Sequence, residues 1–247
     1  MPACSLQALI FDVDGTLADT EDAHRAAFNQ AFAACGLDWH WSRARYTELL
    51  AVAGGKERIA HHWRQAQPDL RDLGAGRAET IERLHALKNA AYAQAVHEGH
   101  VRLRPGVPGL IEAARRAGLR LAIATTTSPA NVAALLRRTL GAGWREHFMA
   151  VEDAATAPRK KPDPQAYQQA LRRLGVPASS ALAFEDSSNG LKAARAAALA
   201  TLVTPTGYTA HHDFTGALRT LDSLEGVTLD ELRAWHAGAA PSWPEAA

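Results

Sequence analysis

Two aspartates, Asp12 and Asp14, follow the first apolar segment of the chain, residues 6–11, and Gly15 stands directly behind them. The pair alternates with Val13 at the end of a predicted strand. One carboxylate could therefore attack phosphorus while the other moves a proton to or from the leaving oxygen. Gly15 permits a tight turn after the pair. The same residue types also end strands in ordinary turns, so the pair alone leaves both interpretations open.

Polar side chains also follow the later apolar segments of the chain. They are the hydroxyls of Thr125, Thr126, Thr127 and Ser128, the carboxylates of Glu185 and Asp186, and the ammonium group of Lys161. In an open parallel sheet, ligands bind beyond the carboxyl ends of the strands, so we expect these groups to meet in one crevice. Clustered carboxylates there favour a hard cation such as Mg²⁺, while a lysine and hydroxyls suit a phosphoryl group.

Each of these groups also has a plain structural interpretation. The carboxylates of Glu185 and Asp186 suit the first turn of a helix, and the hydroxyls of residues 125–128 suit a helix cap. Lys161 and its neighbour Lys160 suit a solvated surface pair. Their order at successive strand ends favours a shared phosphoryl-transfer site over a set of unrelated caps and surface charges.

The elements that must position these residues alternate between strand and helix from residue 107 onwards. Buried strands are predicted at residues 6–11, 119–124, 181–184 and 200–203, with a weaker one at 148–151. Helical patterns lie between them at residues 107–117, 131–140, 163–174 and 187–198. This alternation predicts an α/β fold with a Rossmann-like parallel sheet covered by helices on both faces.

The segment from residue 20 to 99 breaks the alternation, because it holds helical patterns only. We interpret it as an all-helical cap domain inserted into an α/β core formed by residues 1–19 and 100–236. The remaining residues, 237–247, are rich in Ala and Pro and are expected to be a frayed, flexible tail.

The composition excludes several classes of protein. The 247 residues carry a formal net charge of +1, which gives no basic field for nucleic acid and no polybasic patch for a membrane. Only two cysteines, Cys4 and Cys35, are present, so a reducing cytoplasm is the simplest compartment. The paired histidines at 61–62 and 211–212 lack metal-ligand spacing and are interpreted as surface residues. No sustained heptad or apolar patch marks an interface, and a monomer is favoured.

The strand-end motifs together resemble those of the haloacid dehalogenase superfamily. Residues 11–17 resemble its first motif, Thr125 its second, Lys161 its third, and Glu185 with Asp186 its fourth. The resemblance extends over nearly the whole chain, since the spacing and the position of the cap also agree. It implies an α/β core with an inserted helical cap and a phosphoric monoester hydrolase.

The resemblance also implies a role for each motif residue. Asp12 is the expected nucleophile that forms an aspartyl-phosphate, and Asp14 the general acid and base. Thr125 and Lys161 are expected to hold the transferring phosphoryl group. Mg²⁺ is expected on the Asp12 carboxylate, the Asp14 backbone carbonyl and Asp186, with the neighbouring glutamate acting through a metal-bound water.

The cap carries residues that suit an anion. Gly54 and Gly55 precede a predicted helix with Lys56 and Arg58, so backbone N–H groups and cations could face a phosphate. A helix joint with surface charges explains the same residues equally well. His85 and Lys88 lie three apart on a later predicted helix and could face one ligand. A solvated helix face is the alternative there.

The cap residues, together with those after the second strand, resemble a branch of the superfamily that acts on xylulose 1,5-bisphosphate, an inhibitor of the carbon-fixing carboxylase. Tyr46 belongs to this resemblance, and His24 is expected to support the helix that carries Glu21. The substrate-binding residues implied are Glu21, Gly54, Gly55, Lys56, Glu57, Arg58, His85, Lys88, Thr125, Thr126, Thr127, Ser128 and Asn131.

Other functions share these motifs. A phosphomutase of the β-phosphoglucomutase type would return the phosphoryl group to a sugar, and a phosphatase could act on another small ester such as phosphoglycolate. A phosphate-binding module without turnover is a third possibility, although the intact Asp14 argues against it. A dehalogenase is disfavoured, because that chemistry has no use for Mg²⁺ or for Asp14.

Overall fold

Six parallel strands form the sheet of this computed structural model, which describes residues 5–66 and 74–239. They are β1 (Ala8–Phe11), β2 (Arg120–Ala124), β3 (Ala150–Glu152), β4 (Ala181–Glu185), β5 (Ala200–Val203) and β6 (Arg219–Thr220). Their order across the sheet is β3-β2-β1-β4-β5-β6, with every pairing parallel. The predicted α/β fold with a Rossmann-like parallel sheet is therefore confirmed.

The central strand β1 is buried on both faces, as its unbroken apolar sequence predicts. Leu9 and Phe11 pack into one side of the core, and Ala8 and Ile10 into the other. The ring of Phe11 stacks on that of Phe184 in β4, with ring centroids 4.5 Å apart. This register brings the residues that follow β1, β2 and β4 out at the same edge of the sheet.

Between β1 and residue 100, the described residues form four helices. They are α1 (Glu21–Ala34), α2 (Arg43–Leu49), α3 (Gly55–Ala66) and α4 (Gly74–His97), and we call them the helical insert. The insert has its own aromatic cluster, which includes Phe28, Phe32, Trp41 and Tyr46. The described residues of this region form no named strand, although the division into two domains at residues 20 and 99 stays a prediction.

Five further helices pack around the sheet. They are α5 (Val107–Arg116), α6 (Pro129–Leu140), α7 (Gln165–Leu174), α8 (Ser188–Ala196) and α9 (Leu229–Gly238). The tail that was expected to be frayed, residues 237–247, overlaps the last two residues of α9. Its residues 240–247 lie outside the described part of the chain. None of the helices described is both long and apolar enough to cross a membrane.

Two elements were not predicted from the sequence. The strand β6 has only two residues, both exposed, and carries no apolar segment to mark it. The helix α9 begins with a capping box, in which Thr228 accepts from the Glu231 amide while the Glu231 carboxylate accepts from the Thr228 amide. That pair of residues is a recognisable helix start in the sequence.

Candidate active site

A cavity of about 540 Å³ lies between the helical insert and the carboxyl ends of the central strands. A cavity of this size holds a small organic ligand. Every predicted catalytic, metal and substrate-binding side chain or glycine lines it. These residues are Asp12, Asp14, Glu21, Gly54, Gly55, Lys56, Glu57, Arg58, His85, Lys88, Thr125, Thr126, Thr127, Ser128, Asn131, Lys161 and Asp186.

Lys161 is the cationic centre of the cavity floor. Its Nζ lies 2.6 Å from Asp12 Oδ1 and 2.6 Å from Glu185 Oε1, and the Tyr167 hydroxyl donates to the same Glu185 oxygen. Burial opposes the charge of Lys161, but the two carboxylates outweigh it and hold its pKa above the usual range. Lys161 is therefore charged and beside the predicted nucleophile, where it can bind phosphoryl oxygens.

Three buried carboxylates form an acidic cluster at the end of β1 and β4. Oxygen atoms of Asp12, Glu185 and Asp186 lie within 4.8 Å of one another. Burial raises the pKa of Asp12 to about 7 and that of Asp186 well above its ordinary value. An oxygen-rich, electrostatically strained set of this kind suits a hard divalent cation, which would favour the ionised carboxylates. The Asp14 side chain is not part of the cluster.

Gly15 makes room for this cluster. Its φ of +81° belongs to the left-handed region, and a Cβ placed there would lie 2.3 Å from Asp186 Oδ2. Both the backbone conformation and the close approach of Asp186 therefore require glycine. The tight turn expected after Asp14 is present, with the Gly15 amide donating to the Ala18 carbonyl at 2.8 Å.

Asp14 belongs to a separate hydrogen-bonded chain that crosses into the helical insert. Its Oδ1 accepts from the Thr20 hydroxyl at 2.7 Å and lies 3.0 Å from His24 Nε2. On the other side of the imidazole, His24 Nδ1 lies 2.9 Å from Lys88 Nζ. The partners assign the tautomer: Lys88 donates to Nδ1, and Nε2–H donates to Asp14.

The charges along this chain follow from burial and contact. Burial, with Lys88 beside it, lowers the pKa of His24 to about 4, so the imidazole is neutral. Burial lowers the pKa of Lys88 to about 8. His24, Thr20 and Lys88 overcome the burial of Asp14 and hold its pKa below the ordinary value. His24 thus contacts Asp14 directly, a role beyond its expected support of the helix that carries Glu21.

Glu21 is the other acidic group facing the cavity from the helical insert. It is 8% exposed, and its Oε2 accepts from the Tyr46 hydroxyl at 2.9 Å. The Tyr46 oxygen in turn accepts from Arg58 Nη1 at 3.1 Å. Burial raises the pKa of Glu21 to about 7, although Arg58 and Tyr46 lower it. A buried carboxylate of this kind suits contact with a hydroxyl of a ligand.

The two cations expected to face an anion from the Gly54–Gly55 turn are already engaged. Arg58 donates to the carbonyls of Leu49 at 3.0 Å and Val52 at 3.2 Å, besides Tyr46. Lys56 Nζ lies 2.6 Å from a Glu82 oxygen. The residues of this turn line the cavity, as an anion site requires, and they also hold the helix joint together. The structure is therefore compatible with both interpretations, the anion site and the helix joint.

The loop after β2 lines the opposite wall of the cavity. Thr125 is buried, its amide donates to the Glu152 carbonyl at 2.9 Å, and its Oγ1 accepts from the Thr127 amide at 3.3 Å. Ser128 caps α6 by accepting from the Asn131 amide at 3.3 Å. Asn131 Nδ2 donates to Asn89 Oδ1 of α4 at 3.2 Å and so ties this loop to the insert.

His85 faces the same cavity, and Lys88 beside it is buried instead of lying on a solvated helix face. A Cβ on Gly55 would lie 2.9 Å from the imidazole of His85, so the absence of a side chain there allows this close packing. Burial, with Lys88 and Lys56 nearby, lowers the pKa of His85 to about 4.

Several site residues were missed from the sequence. Tyr167 bonds Glu185, and Thr209 Oγ1 lies 3.3 Å from Asp186 Oδ2. Tyr208 donates to Asp22 of α1, and its ring meets that of Tyr46 edge-on at 5.8 Å. Lys160 also lines the cavity. No local motif marks Tyr167, Tyr208 or Thr209. Lys160 adjoins the predicted Lys161, and its place in the cavity differs from the solvated surface pair that the sequence suggested.

The sequence profile of the haloacid dehalogenase-like hydrolases matches residues 6–198. CbbY (plasmid) from Cupriavidus necator is 53% identical over 249 residues, which cover 94% of this chain and 98% of that protein. The match to the family covers far more than half of the chain and includes all four predicted motifs.

Two solved structures of CbbY from Rhodobacter sphaeroides are similar to this fold. The complex with phosphate is 46% identical, with a TM-score of 0.81, over 90% of this chain and 96% of that one. A variant in complex with xylulose-(1,5)bisphosphate is 47% identical, with a TM-score of 0.83, over 90% and 96%. The chain belongs to the haloacid dehalogenase-like hydrolase family and is an enzyme of the phosphatase kind.

Proposed function

We propose that this chain is a Mg²⁺-dependent phosphatase that hydrolyses xylulose 1,5-bisphosphate to xylulose 5-phosphate through an aspartyl-phosphate. The observation that carries the proposal is buried Asp12, in contact with Lys161 and open to a cavity walled by the helical insert. The similarity to CbbY with xylulose-(1,5)bisphosphate supports the choice of substrate.

In the first step, an Asp12 carboxylate oxygen attacks phosphorus and the bond to the sugar oxygen breaks. Asp14 gives a proton to that leaving oxygen, and Lys161 and Thr125 hold the oxygens of the phosphoryl group. Water then attacks the aspartyl-phosphate, Asp14 takes its proton, and inorganic phosphate leaves. Mg²⁺ on Asp12, Asp186 and the Asp14 carbonyl would supply positive charge to the phosphoryl oxygens.

The hydrogen bonds of Asp14 favour its carboxylate form. That form suits the second step, in which Asp14 accepts a proton from water. The first step requires the protonated form, so Asp14 must take up a proton before it can serve as the general acid.

The direct test is release of inorganic phosphate from xylulose 1,5-bisphosphate with Mg²⁺. Turnover that stops with a chelator and in Asp12→Asn supports the proposal. Absence of release, with conversion of β-glucose 1-phosphate to the 6-phosphate, would assign the mutase reaction instead. Phosphate binding with no turnover of any ester would assign a binding module.

The substrate class implied is a small phosphate ester, with no nucleic acid or membrane partner. A monomer and a cytoplasmic location stay as predictions from composition and cysteine usage. Sedimentation of the purified protein would test the first of these.

A further inference from the structure

A bisphosphate substrate brings a second phosphate group that is not transferred and must be held in the cavity. A phosphate dianion removed from water needs a cation or N–H donors close to it. The cations that line the cavity are Lys56, Arg58, Lys88, Lys160 and Lys161. Their existing contacts decide which of them is available.

Two of these cations serve the reacting end of the cavity. Lys161 lies between Asp12 and Glu185, at 2.6 Å from each. Lys88 is buried and donates to His24, which bonds Asp14. Both charges are balanced by the catalytic carboxylates, so neither is free to compensate a further dianion.

Two others are bound within the helical insert. Arg58 uses Nε, Nη1 and Nη2 on two carbonyls and the Tyr46 hydroxyl. Lys56 is ion-paired with Glu82. Reorienting Arg58 towards a phosphate would break three contacts at the start of α3, whereas Lys56 would give up an exposed ion pair to a residue of α4.

Lys160 differs from the other four. It lies in the loop between β3 and α7, and its Nζ forms no ion pair with any carboxylate in residues 5–66 and 74–239. Its side chain extends away from Lys161 and crosses to the insert, where Cε lies 2.7 Å from the position of a Cβ on Gly54. Gly54, with φ of +95°, leaves the space that this lysine occupies.

Charges of both signs surround Lys160: the Glu57 carboxylate lies beside it against Gly54, with Oε2 2.1 Å from the same Cβ position, while Lys56 and Lys88 lie near His85. Burial, Lys88, Lys56 and, more weakly, Lys160 lower the pKa of His85 to about 4, which places the Lys160 charge within reach of that imidazole. The end of the cavity bounded by Lys160, Gly54, Gly55 and His85 therefore combines positive charge with a helix start, where backbone N–H groups are unpaired.

We propose that Lys160 binds the phosphate group that is not transferred and thereby selects bisphosphates over monophosphates. This inference rests on the proposed function and places a specificity residue outside the helical insert, in the loop between β3 and α7. Consecutive lysines then have separate roles: Lys161 faces the reacting phosphate, and Lys160 faces the other end of the substrate.

The test compares Lys160→Met, Lys160→Arg and a control, Arg159→Gln, by steady-state kinetics with Mg²⁺. The substrates are xylulose 1,5-bisphosphate and p-nitrophenyl phosphate, which has a single phosphate. Arg159 is in the same loop but is largely exposed, pairs with Asp163 at 2.9 Å and does not line the cavity. Calorimetric binding of the bisphosphate in the Asp12→Asn background gives a readout that needs no turnover.

Lys160→Met is expected to raise KM for the bisphosphate about tenfold to a hundredfold, with a correspondingly larger Kd and little change in kcat. The change in kcat/KM for p-nitrophenyl phosphate should be at least about tenfold smaller. Lys160→Arg should recover most of the affinity, and Arg159→Gln should behave as the unaltered protein.

The possible failures are distinguishable. If the unaltered protein shows no preference for the bisphosphate, the proposed function fails. If the preference exists and Lys160→Met keeps it, only the role of Lys160 is overturned. Equal losses on both substrates would also overturn it, because they would mean that Lys160 supports Lys161 and the chemistry instead of the second phosphate.

Discussion

Replacing Glu21 by Gln should stabilise the fold above neutral pH while weakening substrate binding. Glu21 is 8% exposed, and burial raises its pKa from 4.5 to about 7. Gln can still accept the hydrogen bond from Tyr46 but carries no charge. The variant therefore removes the cost of holding a buried carboxylate in its ionised form.

The magnitude follows from the pKa change. One pKa unit corresponds to about 1.36 kcal/mol, so an ionised Glu21 lowers the free energy of unfolding by about 3 kcal/mol. Between the unfolded value, near 4.5, and about 7, the folded state binds more protons at this site than the unfolded state. Stability attributable to Glu21 therefore falls as pH rises through that window, and the loss is complete above it.

The assay is urea unfolding of both proteins at about pH 5 and about pH 8. The stability gained by Glu21→Gln should be larger at the higher pH by about 2 to 3 kcal/mol. Titrating groups that do not interact with Glu21 are shared by both proteins and cancel in the comparison. Glu48→Gln, which alters a glutamate with a 67% exposed side chain, should show no such change.

A difference in stability that is the same at both pH values would refute this reasoning, because it would mean that Glu21 is ionised without cost. On the activity side, KM for the sugar bisphosphate should rise in Glu21→Gln. An unchanged KM would mean that Glu21 does not contact the substrate.

Three further substitutions test other parts of the site. Gly15→Ala would place a Cβ 2.3 Å from Asp186 Oδ2 at a φ of +81°, so phosphatase activity and its response to Mg²⁺ should be lost while the helical content remains. Lys88→Met removes the cation that donates to His24, and kcat should fall about tenfold or more, measured by phosphate release. Tyr208→Phe removes a hydrogen bond to the first turn of α1, and the free energy of unfolding should fall by about 1 kcal/mol with a raised KM.

Each of these expectations has a contrary outcome. An active Gly15→Ala enzyme would mean that the Asp186 carboxylate can move without harm. An unchanged kcat in Lys88→Met would mean that Lys88 of α4 takes no part in proton transfer. Tyr208→Phe with normal KM and stability would show that aromatic packing alone holds α1 in place.

The position of the residues on the cavity floor was predictable, because short apolar segments in the sequence indicate the strands of a parallel sheet. Parallel strands bring their carboxyl ends to one edge, so Asp12, Thr125 and Asp186 converge once the strands are recognised. Trp39 and Trp41 are buried in the aromatic cluster of the insert, as their large apolar side chains favour.

The contacts between the helical insert and the floor were not predictable. Lys88 and His24 are 64 residues apart, and only the folded arrangement of α1 and α4 brings them together. For Arg58, the sequence indicates a cation near two glycines but not the direction of its guanidinium group. Hydrogen bonds to backbone carbonyls decide that direction. Every residue carries such a carbonyl, so the residue types do not indicate which ones will accept.

We propose that the cavity selects a bisphosphate and that its floor performs phosphoryl transfer. The most direct test is kcat/KM with Mg²⁺ for xylulose 1,5-bisphosphate against a panel of sugar monophosphates. We expect a preference of about a hundredfold or more for the bisphosphate, equivalent to about 3 kcal/mol of transition-state discrimination. Equal values across the panel, or a preference for hexose or two-carbon monophosphates, would contradict it.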